Sequence, residues 1–282
     1  MNGSHTQPSV AIGVDGSAVA LRAALWAVDE AVSRDIPLRL IHALDGGDLD
    51  RDDAARKLAT AESAVRHVVA AVEATDKPVR LEVEITRGRA TATLVHASRQ
   101  AAMVCIGAVG SNHFQPGRIG STATAVAGSA HCPVAIIRGH SRPTRPHANW
   151  ILVEADESPD DGVVLETAVK EARLRDAPLR VITCWQPPYV DPKAAAEGDR
   201  RIRAQLDRRL ARWRRRYPDL QAEAVAVHGS ISGYLAIHAA GLQLLVVGAR
   251  GAGHVREVVG PAGNAALSDS DCVVLVVDHQ HL

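Results

Sequence analysis

Along the chain, short apolar runs alternate with longer stretches whose apolar residues recur three or four positions apart. In the first half, runs at 10–14, 38–43, 79–85, 103–107 and 134–137 predict five strands. Between them, Leu21, Leu25, Val28 and Val32 share one helical face, and Leu58, Ala61, Val65, Val68 and Val72 share another. Residues 91–100 and 122–130 add two shorter helices. The second half repeats the order, with strands near 151–155, 179–184, 222–227, 244–248 and 273–277. Its long helix carries Ile202, Leu206, Leu210, Trp213 and Tyr217 on one face. Continuous apolar strands alternating with helices predict a mostly parallel sheet covered on both faces. With right-handed crossovers the fold class is α/β, two tandem doubly wound, Rossmann-like domains.

The two halves are copies. Arg34-Asp35-Ile36-Pro37-Leu38-Arg39-Leu40-Ile41 returns as Arg175-Asp176-Ala177-Pro178-Leu179-Arg180-Val181-Ile182, an offset of 141. At the same offset Asp15-Gly16-Ser17 becomes Asp156-Glu157-Ser158, and Gly107-Ala108-Val109-Gly110 becomes Gly248-Ala249-Arg250-Gly251. Solenoid repeats have periods of roughly 20–50 residues. A period this long marks a duplicated domain of ordinary size. Domains at 1–140 and 149–282 are expected, joined by a linker at 141–148 that holds Pro143 and Pro146.

Aromatic residues make up 3% of the chain, so the core is expected to be built from Ala, Val, Leu and Ile. Formal net charge is zero, which gives no general attraction to nucleic acid or to an anionic membrane. Cys105, Cys132, Cys184 and Cys272 lie in or beside apolar runs without a C-x-x-C, as buried reduced thiols do. The first nine residues lack a positive segment followed by an apolar one, and no apolar run reaches membrane-span length. A cytoplasmic protein is expected. Nine arginines fall within residues 200–216, but Glu197 and Asp199 precede them and Asp207 interrupts them, and a solvated helix face is the simpler reading.

Ligands of open α/β sheets bind beyond the carboxyl ends of the strands, where the winding reverses. Two first-half loops carry suitable residues there. Asp15-Gly16-Ser17 follows the first strand. After the fourth comes Gly107-x-x-Gly110, nine residues, then Gly120-Ser121-Thr122. Glycines admit a ligand close to the backbone. Ser121 and Thr122 are placed to cap the next helix, whose free amides and positive dipole end favour an anion. Backbone amides and two hydroxyls would thus hold a phosphate chain without a lysine. Arg118 and the His113-Phe114 pair sit in the same loop. The plain alternative is a loop shaped by its glycines, with Asp15 as a turn former. Neither G-x-x-x-x-G-K-[ST] nor a G-x-G-x-x-G after either first strand is present, and the thirteen histidines show no metal-ligand spacing.

At these residues the chain closely resembles the universal stress protein family in its tandem two-domain form, over residues 9 to 278. ATP-binding members carry G-x2-G-x9-G-[ST] after the fourth strand and an aspartate ending the first. The resemblance implies that Asp15 contacts the nucleoside or a phosphate-bound metal, that backbone at 41–43 flanks adenine, starting at Ile41, and that Gly107, Gly110, Arg118, Gly120, Ser121 and Thr122 hold ribose and phosphates. It implies ATP as ligand, with or without magnesium, and a role in regulation or stress response. The implied partners are an unidentified regulatory protein and, as an option, a second copy in a homodimer. It also implies pairing of the halves through their last strands. A slow ATPase or nucleotidyl-transfer enzyme and a nucleotide-independent interaction module are the alternatives. Beyond Asp15 and His113 the loops offer no general base and no second metal carboxylate.

The second half departs from the motif. Glu154 replaces Gly13 and Glu157 replaces Gly16. The loop between Gly251 and Gly260 holds eight residues instead of nine, and Pro261-Ala262 replaces Ser121-Thr122. Two hydroxyls and one amide donor are lost. Each hydrogen bond to a charged group contributes about 1.5–3 kcal/mol. Arg250 and Arg256 compensate only in part, so this site is read as degenerate.

Overall fold

The computed structural model describes residues 7–45, 51–110, 119–139, 150–155, 161–187, 191–249, 252–268 and 270–277. The chain folds as two compact units that divide after Gly139.

In the first unit β1 (Ser9–Gly13), β2 (Leu38–Leu44), β3 (Leu81–Arg87), β4 (Ala101–Gly107) and β5 (Val134–Ile137) form a parallel sheet in the order β3-β2-β1-β4-β5. The winding reverses between β1 and β4. Helices α1 (Ala18–Arg34) and α2 (Arg51–Glu73) pack against each other and against the sheet. Helices α3 (Ala90–Ala97) and α4 (Ser121–Ser129) form a second pair. Chain order and crossovers are those expected of a doubly wound domain.

The face that α1 presents is set by small residues. Ala20, Ala23, Ala24, Ala27, Val28 and Ala31 are buried, whereas Leu21, Leu25 and Val32 lie at its margin. Alanine lets the helix approach the strands closely while favouring helix. On α2 the face Ala61-Val65-Val68-Val72 is buried as its spacing predicts, but Leu58 is 42% exposed. Each large apolar side chain removed from water contributes about 1.5–3 kcal/mol. Ile12, Leu38, Leu40, Ile41 and Met103 supply that central layer.

The second unit repeats the plan with β6 (Trp150–Glu154), β7 (Leu179–Trp185), β8 (Ala222–His228), β9 (Leu242–Gly248) and β10 (Val273–Val277), ordered β8-β7-β6-β9-β10. Its helices are α5 (Asp161–Leu174), α6 (Pro192–Arg216), α7 (Ile231–His238), α8 (Ala252–Val259) and α9 (Pro261–Ala266). Register repeats as well: Val10 lies beside Leu38, and Ile151 beside Leu179.

The repeated Arg-Asp-x-Pro-Leu string ends a helix and starts a strand. Asp35 and Asp176 take left-handed backbone, φ 52° and 46°. The following amides reach back five residues, Ile36 to the Ala31 carbonyl at 3.1 Å and Ala177 to that of Ala172 at 2.9 Å. This is the Schellman pattern that closes orphan carbonyls at a helix end. One turn earlier the arginine pairs with a carboxylate, Arg34 with Glu30 and Arg175 with Glu171. Both glutamates are fully or almost fully buried, and a buried charge persists only when paired.

On α6, Ile202, Leu206, Leu210 and Trp213 are buried. Several arginines of the outer face have local partners: Arg214 with Asp207 at 3.0 Å, Arg212 over Trp213 and Arg216 over Tyr217. All four cysteines are free. Cys105, Cys132 and Cys272 are buried and Cys184 half-buried. Burial pushes the Cys132 thiol up to about 12.

Candidate functional site

At the carboxyl end of β1 the chain turns through Asp15. The Val14 amide still donates to the Ile41 carbonyl at 2.9 Å. Asp15 Oδ1 then accepts from the Ser17 amide at 2.9 Å, and Ser17 Oγ caps α1 by accepting from the Ala20 amide at 3.1 Å. Asp15 therefore does shape the turn. Its second carboxylate oxygen faces Gly110, where an added Cβ would lie 2.9 Å from Oδ2. A side chain at position 110 would displace that oxygen.

The segment after β4 is clamped at both ends. The Ala108 amide donates to the Ile137 carbonyl at 2.8 Å, and the Gly120 amide donates to the Ala108 carbonyl at 2.6 Å. Gly120 is the N-cap of α4, with φ −68° and ψ 161° and no side-chain cap. The expectation that Ser121 and Thr122 cap this helix is therefore corrected. They are its first two residues, because Gly120 itself takes the extended cap conformation. Their hydroxyls stay available beside first-turn amides that have no partner within the helix.

These elements enclose a cavity of about 630 Å³. Asp15, Ile41, Gly107, Gly110, Gly120, Ser121 and Thr122 all line it, although Asp15 and Thr122 are more than a hundred residues apart in sequence. Arg118 and His113-Phe114 lie outside the described residues. The cavity also takes in Val14, Ser17, His42, Ala43, Ala90, Leu94 and Ile106. Ile41 and Ala43 of β2 and Ala90 and Leu94 of α3 give it an apolar lining, and residues 120–123 bring the start of α4 to it. A volume of this order suits a small organic ligand.

His42 is the residue that the motif did not indicate. The resemblance places the backbone at 41–43 beside the base, but the only signal for the side chain is a histidine inside the apolar β2 run, two residues from the strand end. Burial holds its pKa below the ordinary value, against the opposing influence of the Asp15 charge and of the Val14 carbonyl beside the ring. Among the described residues no group of three His, Cys, Asp or Glu is placed to hold a metal ion. No helix there is long and apolar enough to cross a membrane.

The second unit carries larger side chains at matching positions. Glu154, at the position of Gly13, is buried. Burial raises the Cys184 thiol pKa, and the nearby Glu154 and Glu257 carboxylates raise it further. Cys184 stands where the first unit has Ala43. The expected eight-residue loop is instead the helix α8, a second correction. Residues 252–259 contain no proline and set Val255, Val258 and Val259 at helical spacing, with Val258 and Val259 buried. The helix lies so close to α9 that a Cβ on Gly263 would fall 2.1 Å from the Val258 carbonyl oxygen. Asn264 Nδ2 donates to the Val259 carbonyl at 2.9 Å, and Glu257 Oε1 accepts from the amide and hydroxyl of Ser232. Glu157, Arg250 and Gly251 lie outside the described residues, as does the Arg256 side chain.

Comparison with known proteins agrees with this architecture. The universal stress protein family profile matches residues 8–138 and again 149–278. The chain is 52% identical to universal stress protein Rv2028c of Mycobacterium tuberculosis over the whole of both chains. It is 40% identical to Rv2624c of the same organism over 98% of each. Among solved structures, a universal stress protein from Archaeoglobus fulgidus superposes with a TM-score of 0.71 over 96% of each chain at 17% identity, a likeness of fold. Two matched domains and full-length relatives at these identities place the chain in the universal stress protein family.

Proposed function

We propose that the first unit binds one ATP molecule as a regulatory ligand, and that the second unit binds none. The observation that carries this reading is the gathering of Asp15, Gly110, Gly120, Ser121 and Thr122 on one cavity whose floor is a helix N-terminus. Amides and hydroxyls at that end are donors for phosphate oxygens. The apolar slot of Ile41, Ala43, Leu94 and Ile106 suits a flat base. Magnesium fits only as a companion of the phosphates, since Asp15 is the single carboxylate among the described residues of the cavity and Mg2+ keeps most of its shell as water and phosphate oxygen.

Bound ATP then acts on conformation or partner choice, in line with a role in stress adaptation and an unidentified regulatory partner. Calorimetric titration of the full chain with ATP tests the reading against a Gly120→Asp variant. A Cβ at Gly120 meets only ordinary contacts, the nearest at 3.4 Å, so the variant is expected to fold while placing negative charge at the phosphate end. Loss of binding in that variant supports the site. Equal affinity in both proteins removes it.

A further inference from the structure

We propose that an outward ridge of α6 is a docking surface for an acidic helix of a partner protein. Arg201, Gln205, Arg208, Arg212 and Arg215 follow one another at alternating steps of four and three residues. That alternation keeps side chains on one line of a helix, here over about 21 Å at 1.5 Å per residue. All four arginines are exposed. Among the described residues Arg201, Arg208 and Arg215 have no carboxylate partner, and Arg212 has only the Trp213 ring beside it. None of the five lines the first-unit cavity, so this surface is independent of the nucleotide reading.

The fold itself gives no reason for the ridge. The matching helix of the first unit is α2, whose buried Ala61, Val65 and Val72 correspond to Ile202, Leu206 and Trp213. The line matching the ridge reads Thr60, Ala64, His67, Ala71 and Ala74. Ten basic and three acidic residues stand on α6, against four and four on α2. The negative end of the helix favours Arg214, Arg215 and Arg216, but Arg201 and Arg208 lie turns away from it. Arg208 repels Arg212, and Arg212 repels Arg215, at helical spacing. A solvated face accounts for the arginines that have local partners and leaves this line unexplained.

The chemistry of the partner follows from the surroundings. Guanidinium groups suit carboxylates and phosphates, both of which they can meet with two parallel bonds. Outside α6 the chain carries seven more acidic than basic residues. A nucleic acid extends past the ridge into that negative field, whereas a segment of matching length does not. Trp213 is buried and Tyr217 lies against Arg173 and Arg216, so α6 offers no ring to a base. The apolar residues of α6 are turned inward, and none is left to enter a lipid surface. A second helix laid alongside, with carboxylates at the same alternating steps, meets every arginine of the ridge.

The test uses a synthetic helical peptide whose glutamates repeat at steps of four and three over the length of the ridge, with alanine and glutamine elsewhere. Fluorescence anisotropy follows its binding to the full-length protein at low ionic strength. A second peptide has the same composition with its glutamates spread round the helix. The ordered peptide is expected to bind more tightly, by about threefold or more. Replacing the four arginines together, Arg201→Gln, Arg208→Gln, Arg212→Gln and Arg215→Gln, is expected to weaken it about tenfold, the order given by four exposed pairs of about twofold each. Glutamine keeps the helix propensity and relieves the repulsion, so the variant should melt no lower than the unaltered protein. Equal binding of the two peptides, equal binding by the variant, or no binding of the ordered peptide overturns the proposal. Duplex DNA, or vesicles containing phosphatidylglycerol, binding more tightly than the ordered peptide and losing that advantage in the variant would give the ridge to that partner and overturn it as well.

Discussion

The carboxylate of Glu257 holds Ser232 twice, accepting from its amide at 2.9 Å and from its hydroxyl at 2.6 Å. Ser232 is in the first turn of α7, where an anion is favoured by the free amides and the helix dipole. The second unit therefore brings its own negative group to that helix start, and α8, which carries it, matches in sequence the segment between Gly110 and Gly120 of the first unit.

One nucleotide per full-length chain is accordingly expected by native mass spectrometry at saturating ATP. Glu257→Ala alone is not expected to create a second site. Glu154 and Cys184 still stand in place of Gly13 and Ala43, and Pro261 still withholds an amide from the first turn of α9. A count of two in the unaltered chain contradicts the assignment.

Gly110→Ala places a methyl group against Asp15 Oδ2, the movable end of a side chain. The fold is expected to absorb it with little change in melting temperature. ATP affinity is expected to fall by about tenfold through displacement of the carboxylate, equivalent to 1.4 kcal/mol. Paired calorimetric and thermal measurements check both halves of the statement.

His42 supplies the pH dependence. Its folded-state pKa lies below the ordinary 6.5, because burial opposes the charged ring more than the Asp15 charge and the Val14 carbonyl favour it. The unfolded chain thus binds this proton more tightly than the folded one. The stability linked to His42 is complete above pH 6.5 and declines as pH falls below it. An NMR titration should give His42 a midpoint below 6.5, and His42→Thr should flatten the corresponding part of the stability profile.

Glu171→Ala leaves the Arg175 guanidinium, which is 13% exposed, without its carboxylate. Losing one member of a buried pair costs about 3–5 kcal/mol. The matching change in the first unit, Glu30→Ala, should cost less, since Arg34 is 29% exposed and can turn to water. Chemical denaturation of the two variants checks the order.

ATP turnover is expected to lie several orders of magnitude below the ordinary enzyme rate of about 10 per second. The cavity offers amides, hydroxyls and one carboxylate, but no cation and no second carboxylate among its described residues. Efficient phosphoryl transfer depends on positioned metal and positive charge. A rate near the ordinary range that disappears in both Asp15→Ala and Gly120→Asp would assign the protein to the enzymes.

How far the sequence discloses these features depends on whether the signal is local. Strands β5 and β10 coincide with their expected spans because each is a short apolar run closed by polar residues. The Asp15 and glycine motif is legible because its parts keep fixed spacing. The α8 helix is less so: its matching segment in the first unit suggests a loop, and only the valine spacing at 255, 258 and 259 indicates otherwise. Leu58 shares the helical phase of α2's core residues and still faces out, since phase does not show where a sheet ends. His42 stays hidden for a related reason. Its importance lies in Val14 and the cavity, which only the folded chain brings to it.

The two ends of each sheet have had different histories. Where the strands begin, the duplicates still match: the left-handed aspartate, the reaching-back amide and the buried glutamate–arginine pair recur in both. Where the strands finish, they have parted, with Gly13 against Glu154, Ala43 against Cys184 and Thr122 against Ala262. One rim carries the instructions for folding and the other carries the chemistry, so the second can be rewritten without disturbing the first. That separation would let the chemistry of either copy be changed through a handful of loop residues while its folding signals stay as they are.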